Sequence, residues 1–513
     1  MKSERIVEED GWDVVERGGE EKSAYLDYHQ YQYIDTELMH QALLVSEILV
    51  EIFMHVDQIP SIGKNIVARK SLAALATTCK AFHDPAMDFL WATVDDLQPL
   101  LGCVTRLHPL IYCGSRAPGD DSWAEGIERL SSDETWEFLR HSDRIRSFNI
   151  TSNRLCLLIS IIPIEACVFP RLHSLTISTG SYFGLFMSPT LRHCSIFLER
   201  IKFSYESTGR MLFLLSSRVS SCNQLITLTC PPIDWAAWKD LSNLPTLVEL
   251  KVDEVYDLDA PAWRLEPHLL NFSPFLYLTA LSFQVETAEY MSILMEHSQF
   301  PSLKKFCIYI GFMSSPEAER LFRKLSHCKQ TLEELEVVLF EYDSDDPQGI
   351  VTIVPHLLCF TQLRILQIEC ISSYLYLDNN LFLKAMSAWP HIHTLKMEDS
   401  GRRPSITFHG LFAALCQCPD LETLRVLIDT VNIDIDPNAE PIQHTSLRTL
   451  VLESVRGRVE NAEVVAHIIF TWLPCVDQVN TDVDDWQPWE PVNTHLASLR
   501  AAAQRVTGAA SNT

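Results

Sequence analysis

The sequence predicts an α/β fold in which a small N-terminal helical module precedes a long, irregular solenoid of short parallel strands and helices. Two patterns predict it. Apolar residues recur at helical spacing within residues 41–101, and from residue 145 onward one short apolar motif returns thirteen times. The hydrophobic content of 47% is that of a folded chain and excludes a mostly disordered one.

Residues 1–40 hold eleven acidic and four basic side chains. A stretch with so much net charge predicts a mobile acidic tail. The tail has two open interpretations: a regulatory or interaction segment, or a solvated leader with no role of its own.

The module at 41–101 begins with an apolar run whose members share one wide helical face: Leu44, Ile48, Leu49, Ile52, Phe53 and Val56. A helix that is apolar over so much of its girth must bury two sides, one in its own module and one elsewhere. Leu72, Leu75 and Cys79 predict a second short helix. Asp84 and Pro85 predict the cap and first residue of a third. The alternative is a helical subdomain that packs only on the rest of the chain.

The order of these residues resembles an F-box, the module that docks on the Skp-type adaptor of cullin ubiquitin ligases. Ser46 stands where that family usually has proline, and we expect it to cap the first helix. The resemblance implies that adaptor binding involves the following residues: Leu44, Glu47, Ile48, Leu49, Ile52, Phe53, Leu72, Leu75, Cys79, Phe82, Leu90 and Trp91.

A helical linker is predicted at 102–140. Ser131 and Glu134 form a capping-box pattern ahead of the apolar residues of a helix. The run from Trp136 to Leu139, followed by Arg144 to Phe148, resembles the junction in F-box proteins of mushroom-forming fungi. In those proteins such a helix leads into the first repeat.

The repeated motif has three apolar residues, separated first by two residues and then by one. Its starts are 19 to 34 residues apart, about 28 on average, which is the period of leucine-rich repeats. The last two apolar residues alternate on a short strand and point inward, while the first enters from the turn. Proline two positions before six of the motifs predicts the end of a preceding helix. The motifs begin at Ile145, Leu172, Leu191, Leu225, Leu247, Leu278, Leu303, Leu332, Leu363, Ile392, Leu421, Leu447 and Val476.

Thirteen motifs in one frame favour a single leucine-rich-repeat solenoid at 141–490, with strands on the concave side and helices on the convex side, over scattered βα units. A C-terminal tail is predicted at 491–513. Residues between the apolar strand positions would face the concave surface and bind a protein substrate: Glu249, Lys251, Lys305, Glu334, Glu336, Gln367, Lys396 and Arg425.

Acidic residues follow several of the predicted strands, among them Asp343, Asp345, Asp434 and Asp436. Because parallel strands end at the same edge of a sheet, these residues predict an acidic rim that attracts a basic segment of the partner. The alternative is a set of solvated loops, which are common in a chain of net charge −26.

The negative charge argues against nucleic acid and anionic membranes as partners. Fifteen scattered cysteines, an odd number, favour reduced thiols in an intracellular protein, cytoplasmic and/or nuclear. No catalytic motif is present, and Cys416-Gln417-Cys418 and His391-Ile392-His393 lack the second half of a metal site. We therefore expect no enzyme activity, no cofactor and no metal.

The family resemblance implies the substrate receptor of a Skp–cullin–F-box ubiquitin ligase. Such a receptor binds the Skp-type adaptor, reaches a cullin through it, and holds a protein substrate on its repeats. The alternative function is a leucine-rich-repeat interaction scaffold outside any ligase, with a degenerate F-box.

Overall fold

The computed structural model describes residues 45–57, 66–112, 126–150, 158, 161–162, 169–178, 186–197, 217–219, 221–253, 272–343, 350–372, 374–399, 405–431, 433–435, 442–453, 459, 461–480 and 489–510. The predicted acidic tail at 1–40 lies outside these ranges. The chain forms two compact units, Met1–Leu90 and Trp91–Thr513, each with its own hydrophobic core.

The described part of the first unit is helical, as predicted. It contains α1 (Ser46–Asp57), α2 (Ile66–Ala76) and most of α3 (Lys80–Ala92), whose last residues belong to the second unit. The first unit has a small core, made of side chains from all three helices: Leu49, Phe53, Leu72, Ala76 and Ala86.

Helix α1 begins differently from the prediction. Ser46 is its first residue and not its cap. The carbonyl of Val45 accepts the first helical N–H groups, from Ile48 and Leu49, both at 3.1 Å. The Ser46 hydroxyl donates instead to Oε2 of Glu47 at 3.0 Å. Ser46 therefore occupies the first helical position, which is also the position that proline favours.

The predicted start of the third helix is wrong. Helix α3 begins at Lys80, so Pro85 lies inside it. The carbonyl of Cys79 accepts N–H groups from Phe82 at 3.2 Å and His83 at 3.1 Å, and the His83 ring reaches the Ala76 carbonyl at 2.9 Å. The turn after α2 thus starts the helix earlier, and Pro85 is accommodated although its missing N–H removes one helical hydrogen bond.

The second unit is mixed α/β. Its strands are β1 (Thr93–Val94), β2 (Ser147–Ile150), β3 (Ser174–Ile177), β4 (His193–Ile196), β5 (Thr227–Cys230), β6 (Glu249–Asp253), β7 (Ala280–Thr287), β8 (Lys305–Ser314), β9 (Glu334–Asp343), β10 (Ile350–Val351), β11 (Ile365–Cys370), β12 (Tyr374–Leu375), β13 (Thr394–Asp399), β14 (Thr423–Leu427), β15 (Thr449–Glu453) and β16 (Val479–Asn480). Its described helices are α4 (Gln98–Leu101), α5 (His108–Tyr112), α6 (Ser132–Leu139), α7 (Trp235–Ser242), α8 (Glu289–His297), α9 (Ser315–Leu325), α10 (Val354–Leu357), α11 (Asn379–Ala388), α12 (Phe408–Leu415), α13 (Ala462–Trp472) and α14 (Glu490–Ala510).

Fourteen of the described strands form one parallel sheet in the order β1 to β9, β11, then β13 to β16; β10 and β12 pair separately. Strands β2 to β9, β11 and β13 to β16 carry the thirteen motifs, so the predicted parallel strands are confirmed. Successive strands in the sheet follow chain order, which makes the unit solenoid-like. The second apolar residue of each motif aligns across the sheet: Phe148, Leu175, Cys194, Leu228, Leu250, Leu281, Phe306, Leu335, Leu366, Leu395, Leu424, Leu450 and Val479.

Alternate burial along the strands is also confirmed. In β3, Leu175 and Ile177 are buried and Ser174 and Thr176 are half-buried, while Leu172 enters the core from the preceding turn. The same alternation is found in β2, β4, β5 and β6. One side of the sheet therefore faces the core, and the other side presents the residues between the apolar ones.

Two predicted boundaries differ from the structure. The first compact unit ends at Leu90 and not at 101, because β1 pairs with β2 and carries Val94 into the core of the second unit. The segment predicted as a linker at 102–140 contributes Leu107 and Phe138 to that same core. The predicted capping box is confirmed at the start of α6, where Glu134 N–H donates to Ser131 Oγ at 3.2 Å.

The predicted C-terminal tail at 491–513 is mostly helix. Helix α14 runs to Ala510, and its Val492 and Leu496 are buried in the core of the second unit. The Asn493 amide bonds to both backbone groups of Val479, at 2.8 and 2.9 Å, and closes the last strand of the sheet. The helix thus covers the end of the core, which would otherwise be open to water.

Candidate functional site: partner-binding surfaces

The first candidate surface is an apolar stripe made of Val45, the residue before α1, and of Ile48 and Ile52 on α1. These side chains are 43%, 41% and 39% exposed. Their spacing of three and then four residues places them on one helical face, beside the buried Leu49 and Phe53. The wide apolar arc predicted for this helix is therefore divided, one part facing the core and the other facing solvent.

Several residues predicted to contact an adaptor are core residues instead. Leu49, Phe53, Leu72 and Cys79 are buried within the first unit. Phe53 packs edge-to-face on Phe82, with ring centroids 5.7 Å apart. A partner cannot touch these four side chains without opening the helical module, so their role is to hold the stripe in place.

The remaining predicted adaptor residues vary in exposure. Glu47 is exposed, and its pKa is lowered by the helical backbone N–H and by the Ser46 hydroxyl, so it places a negative charge at the start of α1. Leu75, Phe82 and Leu90 are half-buried against the core of the first unit. Leu44 lies outside the described residues.

Trp91 belongs to the second unit and not to the predicted adaptor-binding module. Its ring stacks on His141 with centroids 4.3 Å apart, and it packs against the core of the second unit. The first compact unit ends one residue before Trp91, and contact of Trp91 with an adaptor stays a prediction.

The second candidate surface is the strand face, the side of the sheet that points away from the core. All eight strand residues predicted to bind substrate lie on it, and register places them in two rows. The first row is Ser147, Ser174, His193, Thr227, Glu249, Ala280, Lys305, Glu334, Ile365, Thr394, Thr423 and Thr449. The second row is Asn149, Thr176, Ser195, Thr229, Lys251, Ser282, Cys307, Glu336, Gln367, Lys396, Arg425, Val451 and Asn480.

From β6 onward, many charged side chains on the strand face form ion pairs with neighbouring side chains. Lys305 Nζ lies 3.0 Å from Glu334 Oε2, and Lys251 Nζ lies 3.4 Å from Asp253 Oδ2. Arg425 Nη1 lies 2.8 Å from Glu398 Oε1. These pairs tie neighbouring side chains together and leave little net charge of either sign at those points.

A half-buried polar group lies in the middle of the charged region. The Tyr309 hydroxyl donates to Glu336 Oε1 at 2.5 Å. Beside it, burial and the nearby Glu336 carboxylate raise the pKa of the Cys307 thiol to about 12, which keeps the thiol protonated near neutral pH. Cys307 points to the strand face yet is buried there, so its neighbours cover it.

The predicted acidic rim is only partly described. Asp345, Asp436 and the side chain of Asp343 lie outside the described residues. Asp434 is exposed, and its Oδ1 accepts the N–H of His409 in the first turn of α12 at 2.8 Å. Asp434 therefore stabilises a helix start, a role that the sequence pattern did not predict.

A third row begins the strands, and the sequence-based search overlooked it. Its residues precede the first row, and each backbone N–H donates to the carbonyl of the previous member. The row, here named the entry row, is Arg146, His173, Arg192, Ile226, Val248, Thr279, Lys304, Glu333, Arg364, His393, Glu422 and Arg448. Its members follow the first apolar residue of the first twelve motifs, so the positions of the motifs in the sequence could have located the row.

Other kinds of site find no support in the described residues. No group of three or more His, Cys, Asp or Glu side chains there could hold a metal ion, and no described helix is long and apolar enough to cross a membrane. No disulfide joins the cysteines in the described ranges. No protein-family model matches the chain, and no curated protein matches it either.

Proposed function

We propose that this chain is the substrate receptor of a Skp–cullin–F-box ubiquitin ligase. In this proposal the first unit docks on the Skp-type adaptor, and the leucine-rich-repeat unit binds a protein substrate. The receptor carries out no chemistry itself. It holds the substrate near an enzyme bound elsewhere in the assembly, which raises the effective concentration of the substrate.

The observation that carries the proposal is the α1 stripe. A helix in a module with such a small core leaves Val45, Ile48 and Ile52 exposed in a row, where water contact has a free-energy cost. Ile48 and Ile52 are already more than half buried, so burying their exposed parts against a partner would contribute roughly 1–2 kcal/mol to binding. The order of residues in α1 to α3 resembles an F-box. From this resemblance we take the proposed partner to be a Skp-type adaptor.

The strand face supports the other half of the proposal. Its rows extend across the whole parallel sheet and carry hydroxyls, amides and charges on side chains that neighbouring strands hold in register. A rigid surface with many oriented polar groups suits the recognition of a protein partner.

The experiment measures binding of the full chain to a purified Skp-type adaptor by isothermal titration calorimetry. We expect wild type to bind and the double variant Ile48→Glu/Ile52→Glu to lose more than about 100-fold in affinity, because two charges would enter an apolar interface. Circular dichroism and thermal unfolding check that the variant is folded.

Val50→Glu is the matched control. Val50 is 47% exposed on the same helix but lies on the far side of Phe53 from the stripe. We expect its affinity to stay within about twofold of wild type. Absence of adaptor binding by wild type would overturn the proposal, and equal losses in Val50→Glu would show that the stripe is not the contact.

The second candidate function is an interaction scaffold outside any ligase. One observation favours it: Leu49, Phe53, Leu72 and Cys79, which match the F-box pattern, serve the module's own core. The pattern could thus persist for folding alone. The same titration decides, because a scaffold would not bind the adaptor.

A further inference from the structure

Three basic side chains stand together at the start of adjacent strands β2, β3 and β4. Arg146, His173 and Arg192 are consecutive members of the entry row. His173 N–H donates to the Arg146 carbonyl at 2.8 Å, and Arg192 N–H donates to the His173 carbonyl at 2.8 Å. Two strand spacings, about 9.5 Å, therefore separate the backbones of the two arginines. We name these residues the Arg–His–Arg trio.

Within the described residues, neither arginine of the trio forms an ion pair, although the chain carries 67 acidic side chains against 41 basic ones. Both arginines are exposed and His173 is half-buried between them. Burial lowers the pKa of His173 first, and the charges of Arg192 and Arg146 lower it further. Both arginines therefore add a positive electrostatic potential at the His173 ring.

The strand face next to the trio bears no carboxylate. On β2 to β5 its two rows consist of hydroxyl, amide and imidazole side chains: Ser147, Asn149, Ser174, Thr176, His193, Ser195, Thr227 and Thr229. Among the described residues, the one hydrogen bond between side chains of this set joins His193 Nδ1 and Thr227 Oγ1 at 3.0 Å. The buried Oδ1 of Asn149 has no partner there.

We propose that the Arg–His–Arg trio and the hydroxyl-lined start of the strand face bind an extended acidic segment of a protein partner, rich in Asp and Glu. This deepens the substrate-binding half of the proposed function and does not use the adaptor-binding half. Guanidinium groups bind carboxylates in a bidentate manner, and the serine and threonine hydroxyls can donate to further oxygens.

The spacing of the cations favours several carboxylates over one compact anion. The backbones of the two arginines lie two strands apart, and their like charges disfavour a single shared point. An extended peptide places same-side carboxylates about 6.6–6.8 Å apart, so three of them in a row extend over about 13 Å and cover the whole trio. Elsewhere the chain is strongly negative and repels such a peptide, which makes this surface selective.

The same row supplies a matched control. Lys304, Glu333 and Arg364 begin β8, β9 and β11 with the same backbone ladder. Here the central carboxylate lies 2.8 Å from Lys304 Nζ and 4.0 Å from Arg364 Nε. This Lys–Glu–Arg trio has the same two flanking charges, but the carboxylate between them cancels one of the two.

The test uses the full chain and a fluorescein-labelled peptide in which Asp and Glu alternate with serine. Fluorescence anisotropy at low salt measures its affinity. We expect Arg146→Gln/Arg192→Gln to weaken binding by about 10-fold or more, and Lys304→Gln/Arg364→Gln to change it by less than about twofold. A peptide with Asn and Gln in place of Asp and Glu should not bind.

A single substitution at the centre of the trio adds an independent measurement. His173→Glu should weaken binding, though by less than the double variant, because it creates the partly neutralised arrangement of the Lys–Glu–Arg trio, while His173→Gln should bind like wild type. Equal losses in both double variants, or equal binding of the amide peptide, would overturn the proposal. Adaptor binding is measured separately, so failure of the ligase proposal would leave this result unchanged.

Discussion

The Arg–His–Arg trio and the Lys–Glu–Arg trio occupy the same row of one sheet and are held by the same ladder of backbone hydrogen bonds. In the second, Glu333 contacts both neighbouring cations; in the first, His173 offers them no counter-charge. One central side chain separates a partly neutralised trio from a fully positive one. The backbone of the sheet therefore fixes the position of each outward side chain. The identity of a single outward residue then decides which ligand charge the surface can bind.

The contrast extends over the strand face. From β2 to β5 the outward rows carry no carboxylate, whereas from β6 onward they include paired charges such as Lys305 with Glu334. Beneath both regions lie aligned apolar residues, Leu175 in the first and Leu335 in the second. The two regions thus share an interior and differ in surface chemistry.

The largest expected effect tests the shared interior. Leu175→Ala and Leu335→Ala should each lower the free energy of unfolding by about 2–5 kcal/mol, because each side chain is buried and its removal leaves a cavity. Guanidinium chloride unfolding measures both. Thr176→Ala and Gln367→Ala, outward residues on the strand face, should cost less than about 1 kcal/mol. If Leu175→Ala alone lowered the free energy of unfolding only slightly, the two regions would not share one equally packed interior.

Most of the second unit's frame could be predicted from the sequence because its signals are local. Alternating apolar residues define each strand, and proline before several motifs lies in the turn that follows a helix, as Pro301 does after α8 and Pro419 after α12. The register of neighbouring strands follows when the motifs are aligned by their apolar residues. Strand β1 could not be found this way, since two residues, Thr93 and Val94, carry no motif and pair only because β2 lies beside them.

The candidate sites were harder to predict. On α1, Ile52 and Phe53 are both apolar and adjacent, yet the first is exposed and the second is buried, because α2 and α3 pack on one side of the apolar arc. The residue types alone do not show which of these two side chains is buried. The Arg–His–Arg trio was overlooked for another reason: its members are far apart in sequence, and an overall charge of −26 hides a local cluster of opposite sign.

A smaller effect sharpens the contrast between paired and unpaired charges. Arg425 and Glu398 are only 13% and 20% exposed and lie 2.8 Å apart. Arg425→Ala should cost about 1–2 kcal/mol in unfolding free energy, since it leaves a poorly hydrated carboxylate. Glu398→Ala added to Arg425→Ala should cost less than the sum of the two single changes. Strict additivity in this double-mutant cycle would show that the pair is not coupled.

The smallest effect concerns Lys305, whose charge is paired but well exposed. The hydrogen bond to Glu334 raises the pKa of its ammonium above the ordinary value of 10.5, against the opposing effect of burial. A raised pKa means that the stabilisation is complete below that value and is lost as the pH rises through the folded-state pKa. Lys305→Gln should therefore cost up to about 0.5 kcal/mol at pH 7 and nothing at high pH or high salt. Unfolding of both proteins across pH measures the difference, with Lys396→Gln as the control because no ion pair involves Lys396 in the described residues. A difference that persists at high pH would show that the effect comes from packing of the aliphatic part of Lys305. The ion pair with Glu334 would then contribute no stability to this part of the strand face.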